Sequence, residues 1–175
     1  MEKLRYTDET DRCYGAAGMA ISLVVFDGEE ILSAISLDSP EGGQTMALTP
    51  EFFFAGNPGV SAKTAWRQIL KNYNLGIAML TANLLCRYLV NRHTGLPADV
   101  RDTLRSLALE EGRDSCQLED DEIDAIFDKN INYLTRVFSH RGVHTVAHDF
   151  ASALQSRRHL SRLDALDILQ ALQSL

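Results

Sequence analysis

The chain is organised around the run Leu75-Gly-Ile-Ala-Met-Leu-Thr-Ala-Asn-Leu-Leu-Cys-Arg-Tyr-Leu-Val90, the most apolar in the sequence. It is the second half of residues 61–92, in which apolar residues recur at steps of three and four, as in an α-helix. Beyond Leu75 they occupy the other faces too, which is typical of a buried helix. Such a helix would be roughly 45 Å long at 1.5 Å per residue, and a domain of this size is on the order of 40 Å across. The sequence therefore predicts one long helix that crosses the molecule.

Length and composition predict a single domain over residues 1–175. The chain has 175 residues, of which 45% are apolar and 23% charged, an ordinary globular composition. Folding should bury roughly 70% of the surface of the unfolded chain, so we expect neither a disulfide nor a structural metal. Cys13, Cys86 and Cys116 are far apart and form no C-x-x-C motif. This cysteine usage favours a cytoplasmic protein.

The charge pattern predicts no direct contact with nucleic acid or membrane. The net charge is −7, and no block of the chain is basic enough to displace counterions from nucleic acid. Residues 1–12 are charged, unlike a secretory signal. The apolar run from Leu75 is interrupted by Asn83 and Arg87 and is shorter than the ~20 residues that a bilayer requires.

Residues 15–48 predict an antiparallel β-hairpin or short meander. Residues 19–26 and 29–37 are rich in β-branched and apolar residues, and Asp27-Gly28 between them is a strong hairpin signal. Residues 45–48 are expected to form a short third strand.

Helices are expected over most of residues 61–175. After the long helix, the periodicity predicts helices at 98–109, 119–139 and 143–156, and Ser161-x-x-Asp164 predicts a capped fifth helix that reaches Leu175. The predicted fold class is therefore mainly α (α+β). An N-terminal antiparallel hairpin or meander packs on a bundle of about five helices, with one long central buried helix.

Two apolar groups are candidate partner-binding residues. Three successive phenylalanines before the long helix cannot all be exposed to solvent without forming an apolar surface patch. They therefore either anchor the sheet on the bundle or line a ligand or partner groove. Leucines at every third position of the last helix drift by about 60° per step. That helix is therefore either wedged between others or in contact with a second subunit. The residues concerned are Phe52, Phe53, Phe54, Leu163, Leu166, Leu169 and Leu172.

Three histidines are candidate ligands for a transition metal. His144 and His148 stand at i and i+4, which places two imidazoles on one helix face at the spacing of zinc or iron sites. His140 precedes them across Gly142, and no further ligand is evident. The alternative interpretation is that these histidines flank an apolar stripe at the edge of the core.

Two further patterns have simple structural explanations. The acidic run at residues 119–124 is typical of a helix start, where carboxylates oppose the helix dipole, although it would also steer a basic partner. Residues 52–64 resemble a phosphate-binding loop only superficially, because Asn57 replaces its first glycine and Ala62 precedes Lys63-Thr64. No set of catalytic residues is predicted.

The resulting functional hypothesis is a small, non-catalytic cytoplasmic protein that acts in protein interaction or regulation and self-associates as a homo-oligomer. One alternative is a metal-binding protein or metal-dependent enzyme that uses the pair His144 and His148. A second alternative is an acidic mimic or inhibitor of a nucleic-acid-binding protein.

Overall fold

The computed structural model describes residues 2–39, 45–53 and 61–175. It confirms the predicted mainly α class with a small antiparallel sheet. The helices are α1 (Glu9–Val25), α2 (Pro50–Phe53), α3 (Ala62–Leu85), α4 (Ala98–Cys116), α5 (Asp120–Phe138), α6 (Arg141–Arg157) and α7 (Arg162–Leu169). The strands are β1 (Leu32–Ser36), β2 (Met46–Leu48) and β3 (His159–Ser161).

The long helix α3 is continuous through Gly76 and passes directly into a π-helical turn, Cys86–Asn91. Its start is capped by Ser61, whose hydroxyl accepts a hydrogen bond from the Thr64 N–H. From Leu75 onward most of its side chains are buried, as predicted. The first turns are mostly exposed, and Trp66 keeps 42% of its surface in solvent. The buried axis is therefore the second half of the helix.

The predicted first arm of the hairpin, residues 19–26, is wrong because this stretch belongs to the helix α1. The start of α1 is capped by Asp8, whose carboxylate accepts a hydrogen bond from the Asp11 N–H. A Cβ atom on Gly18 would collide with the carbonyl oxygen of Ala82, so α1 packs on α3 at very short range. A helix buried on all sides shows the same unbroken apolar run as a buried strand, and periodicity alone does not separate the two.

The small sheet has the order β2-β1-β3, and both pairs of strands are antiparallel. Asp27-Gly28 does not form a hairpin turn; it ends α1 and leads into a 3-10 turn, Glu29–Ile31. The predicted second arm and third strand are present as β1 and β2. The strand β3 was not predicted, and its Leu160 lies opposite Ile35 of β1.

The helices after α3 confirm the predicted bundle with two changes of boundary. The helix α4 continues through Gly112 to Cys116. A Cβ on Gly112 would press on Ile123 and the Tyr73 hydroxyl. This glycine serves close packing and does not end the helix. The predicted capping box at Ser161 is present, but α7 ends at Leu169 and the chain continues as a 3-10 helix, Gln170–Ser174.

The second half of α3 separates two groups of buried apolar side chains. One group joins α3 to α1, the sheet, α6 and α7, and the other joins it to α4 and α5. Within the described ranges, none of the helices combines the length and the apolar character needed to cross a membrane.

Candidate functional site

A cleft of about 430 Å³ lies between α1, α3, β2 and α2. Its volume falls within the roughly 300–1,000 Å³ of typical small-molecule sites. Most of its lining is apolar and flexible, with a methionine from each of three elements. The apolar lining residues are Met19, Met46, Leu48, Phe52, Phe53, Met79 and Leu80.

The spacing of residues on α3 explains how the helix lines this cleft. Gly76, Leu80 and Asn83 recur at steps of four and three, so they share one face of the helix. A Cβ atom built on Gly76 would meet no other atom within 4 Å. The helix therefore leaves open space at Gly76, where any larger side chain would enter the cleft.

The cleft has a polar part formed by Tyr6, Thr45 and Asn83. The Asn83 side-chain amide donates a hydrogen bond to the Tyr6 hydroxyl over 2.8 Å. Arg12 donates from Nε to the Thr45 hydroxyl over 2.6 Å, and from Nη1 to the Leu37 carbonyl over 3.0 Å. Both hydroxyl oxygens thus accept a hydrogen bond from a nitrogen donor.

A buried charge cluster lies behind this polar part, centred on Arg87 at the start of the π-helical turn. Only 1% of the Arg87 surface is exposed. Its Nε and Nη2 lie 2.9 and 2.7 Å from the Asp11 carboxylate. Its other donors reach the carbonyl oxygens of Leu4 and Arg5, at 2.9 and 2.6 Å, and the Asn83 Oδ1 atom at 3.4 Å. All three nitrogens of the guanidinium thus donate to an acceptor within the protein.

Asp11 is the anion of this cluster and is also almost fully buried. Its second oxygen accepts a hydrogen bond from Arg92 over 2.9 Å, and the Thr7 N–H donates to its first. Burial raises the pKa of Asp11, but the hydrogen bonds from Arg87 and Thr7 and the charges of Arg87 and Arg92 outweigh it and hold the pKa below its ordinary value. The Asp11 carboxylate is therefore ionised at neutral pH.

The charge cluster positions Tyr6 at the edge of the cleft. The Arg87 guanidinium carbon lies 4.7 Å from the centre of the Tyr6 ring, a cation–π contact. Asn83 holds the hydroxyl of the same residue. Together with the hydrogen bonds to Leu4 and Arg5, these contacts tie the segment before α1 to the end of α3.

These polar residues were not predicted as a site, although the sequence carries a signal for them. Asn83 and Arg87 stand at i and i+4 within residues 75–90, the most apolar run of the chain. A polar pair at that spacing in a buried helix needs buried partners. The partners come from residues 4–12, which the sequence shows only as a charged segment.

The three predicted metal ligands each use a ring nitrogen within the protein. His140 Nδ1 accepts from the Gly142 N–H over 3.1 Å and so caps α6. His144 Nε2 donates to the Phe138 carbonyl, and His148 Nδ1 shares a hydrogen bond with the Tyr14 hydroxyl, each over 2.6 Å. Across the part of the chain that the structure describes, no three His, Cys, Asp or Glu side chains are placed to hold a metal ion.

The predicted partner-binding residues lie in two separate places. Phe52 is half-buried and Phe53 is 58% exposed, and both line the cleft. Phe54 lies outside the described residues.

The leucines of the last helix divide by burial. Leu169 is buried in the core of the protein itself, whereas Leu163 is 75% exposed. Leu166 and Leu172 are half-buried. One side of this helix is wedged into the core, and contact of Leu163 with a second subunit stays a prediction.

The acidic run caps α5, as its structural explanation requires. Glu119 and Glu122 form a capping box at the start of the helix. Asp120 and Asp124 of the run, and Asp128 one turn beyond it, form ion pairs with Arg113, Arg105 and Arg101 of α4. Two carboxylates of the run thus have a cationic partner, which weakens the negative field available to a basic protein.

Comparisons with protein families, with curated proteins and with solved structures found nothing that matches this chain.

Proposed function

We propose that this protein is a non-catalytic binding protein that takes an apolar molecule into the cleft between α1, α3 and β2. The observation that carries the proposal is the cleft itself, which combines about 430 Å³ of volume with methionine and phenylalanine side chains on its walls. Methionine side chains are flexible and polarizable, so they adapt to apolar ligands of different shape.

The polar groups of the cleft support binding and give no support to catalysis. The described residues that line it include no His, Cys, Lys, Asp or Glu. General acid–base and nucleophilic catalysis most often depend on such groups. The hydroxyls of Tyr6 and Thr45 and the amide of Asn83 would orient a ligand.

The test is a titration with an uncharged naphthylamine dye that fluoresces only in apolar surroundings. We expect saturable binding at one site per chain. Gly76→Leu should weaken dye binding by at least about tenfold, because the new side chain fills volume that the dye needs. The matched control is Gly95→Leu, since a Cβ on Gly95 also meets nothing within 4 Å and Gly95 does not line the cleft.

Two results would overturn the proposal. One is the absence of saturable dye binding to the unmodified protein. The other is equal affinity of the Gly76→Leu and Gly95→Leu variants, which would place the bound dye elsewhere on the surface.

Self-association into a homo-oligomer is a second candidate function, supported by the exposure of Leu163. This side chain is 75% exposed, more than any other large apolar side chain in the described ranges. If it lies in an interface between copies, Leu163→Glu should shift the protein to a smaller species in sedimentation velocity. The exposed Leu175→Glu variant is the control for added charge, and a wild-type protein that is monomeric at high concentration contradicts this candidate.

We also propose a cytoplasmic location. Cys13, Cys86 and Cys116 are unpaired thiols, which supports a reducing compartment.

A further inference from the structure

The arrangement of the cleft indicates which class of molecule it binds, an inference that rests on the proposed function. Polar and apolar lining residues are not mixed. Along α3 and along residues 45–48 the polar lining residue stands at one end and the apolar ones follow, so the cleft has a polar end and an apolar end.

The helices α1 and α3 run in opposite directions along the cleft. A Cβ on Gly15 would touch Asn83, and one on Gly28 would touch Leu75, so position along α1 rises as position along α3 falls. On α1, Arg12 lies about 10 Å before Met19 at 1.5 Å per residue. On α3, Asn83 lies the same distance beyond Gly76. The polar ends of the two helices therefore coincide.

The strand β2 and the N-terminal segment also place their polar residues at the polar end of the cleft. Thr45 contacts Arg12 at the polar end, and β2 then continues through Met46 to Leu48, which lines the apolar part. Tyr6 is held at the polar end by Asn83. Four separate parts of the chain thus place their polar groups together.

The hydrogen bonds at the polar end leave donors for a ligand. A hydroxyl has one proton and two acceptor positions. The Tyr6 oxygen accepts from Asn83 and the Thr45 oxygen accepts from Arg12. Each hydroxyl therefore retains its own proton, and among the described residues neither proton has a protein acceptor. A ligand head that accepts hydrogen bonds can therefore take a proton donor from each of these two hydroxyls.

The charges around the polar end favour an anionic acceptor. Arg12 contacts Thr45 directly, and Arg87 contacts both Tyr6 and Asn83. The carboxylate of Asp11 is shared between Arg87 and Arg92. The cationic side chains in contact with the polar lining therefore outnumber the single buried anion behind it.

We infer that the cleft binds a linear aliphatic carboxylate, with its carboxylate at the Tyr6 and Thr45 hydroxyls and its hydrocarbon chain along Met19, Met79 and Leu48. The chain fits the apolar end of the cleft, and the methionines accommodate its bends. The carboxylate accepts from the two hydroxyls in the field of Arg12 and Arg87.

The experiment displaces the naphthylamine dye with three twelve-carbon compounds that differ only in their head: dodecanoate, dodecanol and dodecylammonium. Each is used below its solubility limit, and the two charged compounds also below the concentrations at which they form micelles. Dodecanoate should displace the dye at concentrations at least about tenfold lower than dodecanol, because hydrogen bonds to a charged group are the stronger ones. Dodecylammonium should be the weakest competitor. The net charge of −7 attracts the cationic dodecylammonium and repels dodecanoate. The expected order therefore runs against the net charge of the protein.

Two variants test whether the preference for dodecanoate over dodecanol depends on the hydroxyls of Tyr6 and Thr45. Tyr6→Phe and Thr45→Val each remove a hydroxyl and keep most of the side-chain shape. Each should reduce the advantage of dodecanoate over dodecanol by at least about threefold, the loss of one hydrogen bond. The preference is the ratio of two competitors measured within one variant, so a change in dye affinity cancels, and circular dichroism shows whether each variant is folded.

The outcomes separate this inference from the proposed function. If the dye binds in the cleft but the three heads compete equally, or dodecylammonium competes best, the inference is wrong and the proposed function stands. A preference for dodecanoate that survives in both variants also overturns the inference. If the dye does not bind, both proposals fall.

Discussion

At the scale of single residues, Arg87 shows how a charge is retained in the interior. A buried ion is costly unless it is paired and fully hydrogen-bonded. Arg87 meets both conditions, since Asp11 neutralises it and two backbone carbonyls accept its remaining donors. Its removal leaves Asp11 with Arg92 alone and frees the carbonyls of Leu4 and Arg5.

We expect Arg87→Met to lower the free energy of unfolding by about 3–5 kcal/mol, the usual cost of removing one partner of a buried pair. Urea denaturation followed by circular dichroism measures this. In a double-mutant cycle with Asp11→Asn, the double variant should lose less than the two single losses added together. A loss below about 1 kcal/mol in Arg87→Met would contradict the importance of this pair.

Thr81, unlike Arg87, has a buried polar group that is not satisfied. Its hydroxyl is buried without a hydrogen-bond partner among the described residues. Replacing it with valine keeps the shape and removes the unsatisfied group. Thr81→Val should leave the free energy of unfolding unchanged or raise it by about 1 kcal/mol. The control is Thr135→Val, which removes a hydroxyl that donates to the Ile131 carbonyl. A clear loss of stability in Thr81→Val alone would indicate a hidden partner for this hydroxyl.

At the scale of elements, glycines set how closely the helices approach. Gly18 of α1 lies against the backbone of Ala82 in α3, whereas Gly76 of α3 faces open space. Both glycines are inside helices, so alanine at either position gains the same helix propensity. What differs is only the room for a methyl group.

The same substitution should therefore have opposite effects at the two sites. Gly18→Ala should lower the free energy of unfolding by about 1–3 kcal/mol, because the methyl group forces α1 away from α3. Gly76→Ala should raise it by roughly 0.5–1 kcal/mol. Thermal and urea denaturation of the pair test this, and each variant is the control for the other. Equal effects of the same sign would mean that α1 and α3 do not touch at Gly18.

At the scale of the whole molecule, buried thiols and a buried phenol make stability depend on alkaline pH. Burial, with a smaller contribution from the charge of Glu9, raises the pKa of Cys13 to about 11. Burial also raises the pKa of Cys86 and, with the neighbouring Cys116 and Glu111, brings that of Tyr73 to about 12. The folded state thus holds these protons to higher pH than the unfolded state.

The sign of the effect follows from this difference. The stabilisation is fully present below the ordinary thiol pKa of 9.0 and is lost as the pH rises toward 11. We expect the urea midpoint to be level between pH 7 and about 9 and to fall above that. Cys13→Ala should make the fall shallower. A midpoint that is level up to pH 11, or an unchanged slope in the variant, would contradict the prediction.

The features that the sequence predicts depend on contacts between residues close together in the chain. The features that it misses depend on contacts between distant residues. The helices α3, α5 and α6 and the cap at Ser161 depend on neighbours within a few positions, and periodicity and capping residues predict them. The part of α1 within residues 19–26 shows the unbroken apolar run of a buried strand, because α1 is buried on both sides. The spacing of Asn83 and Arg87 indicates that these two side chains need buried partners, but the partner Asp11 and the cleft depend on residues far apart in the chain, which no local pattern identifies.

The pairing of β1 with β3 has a consequence for biosynthesis. Ser36 lies opposite His159, so one edge of the central strand stays open while everything between these residues is still being translated. An open strand edge invites pairing with other chains. A nascent polypeptide that stalls on the ribosome before Leu160 would expose this edge together with the buried side of Ile35, and we expect such truncated products to depend on chaperones for solubility.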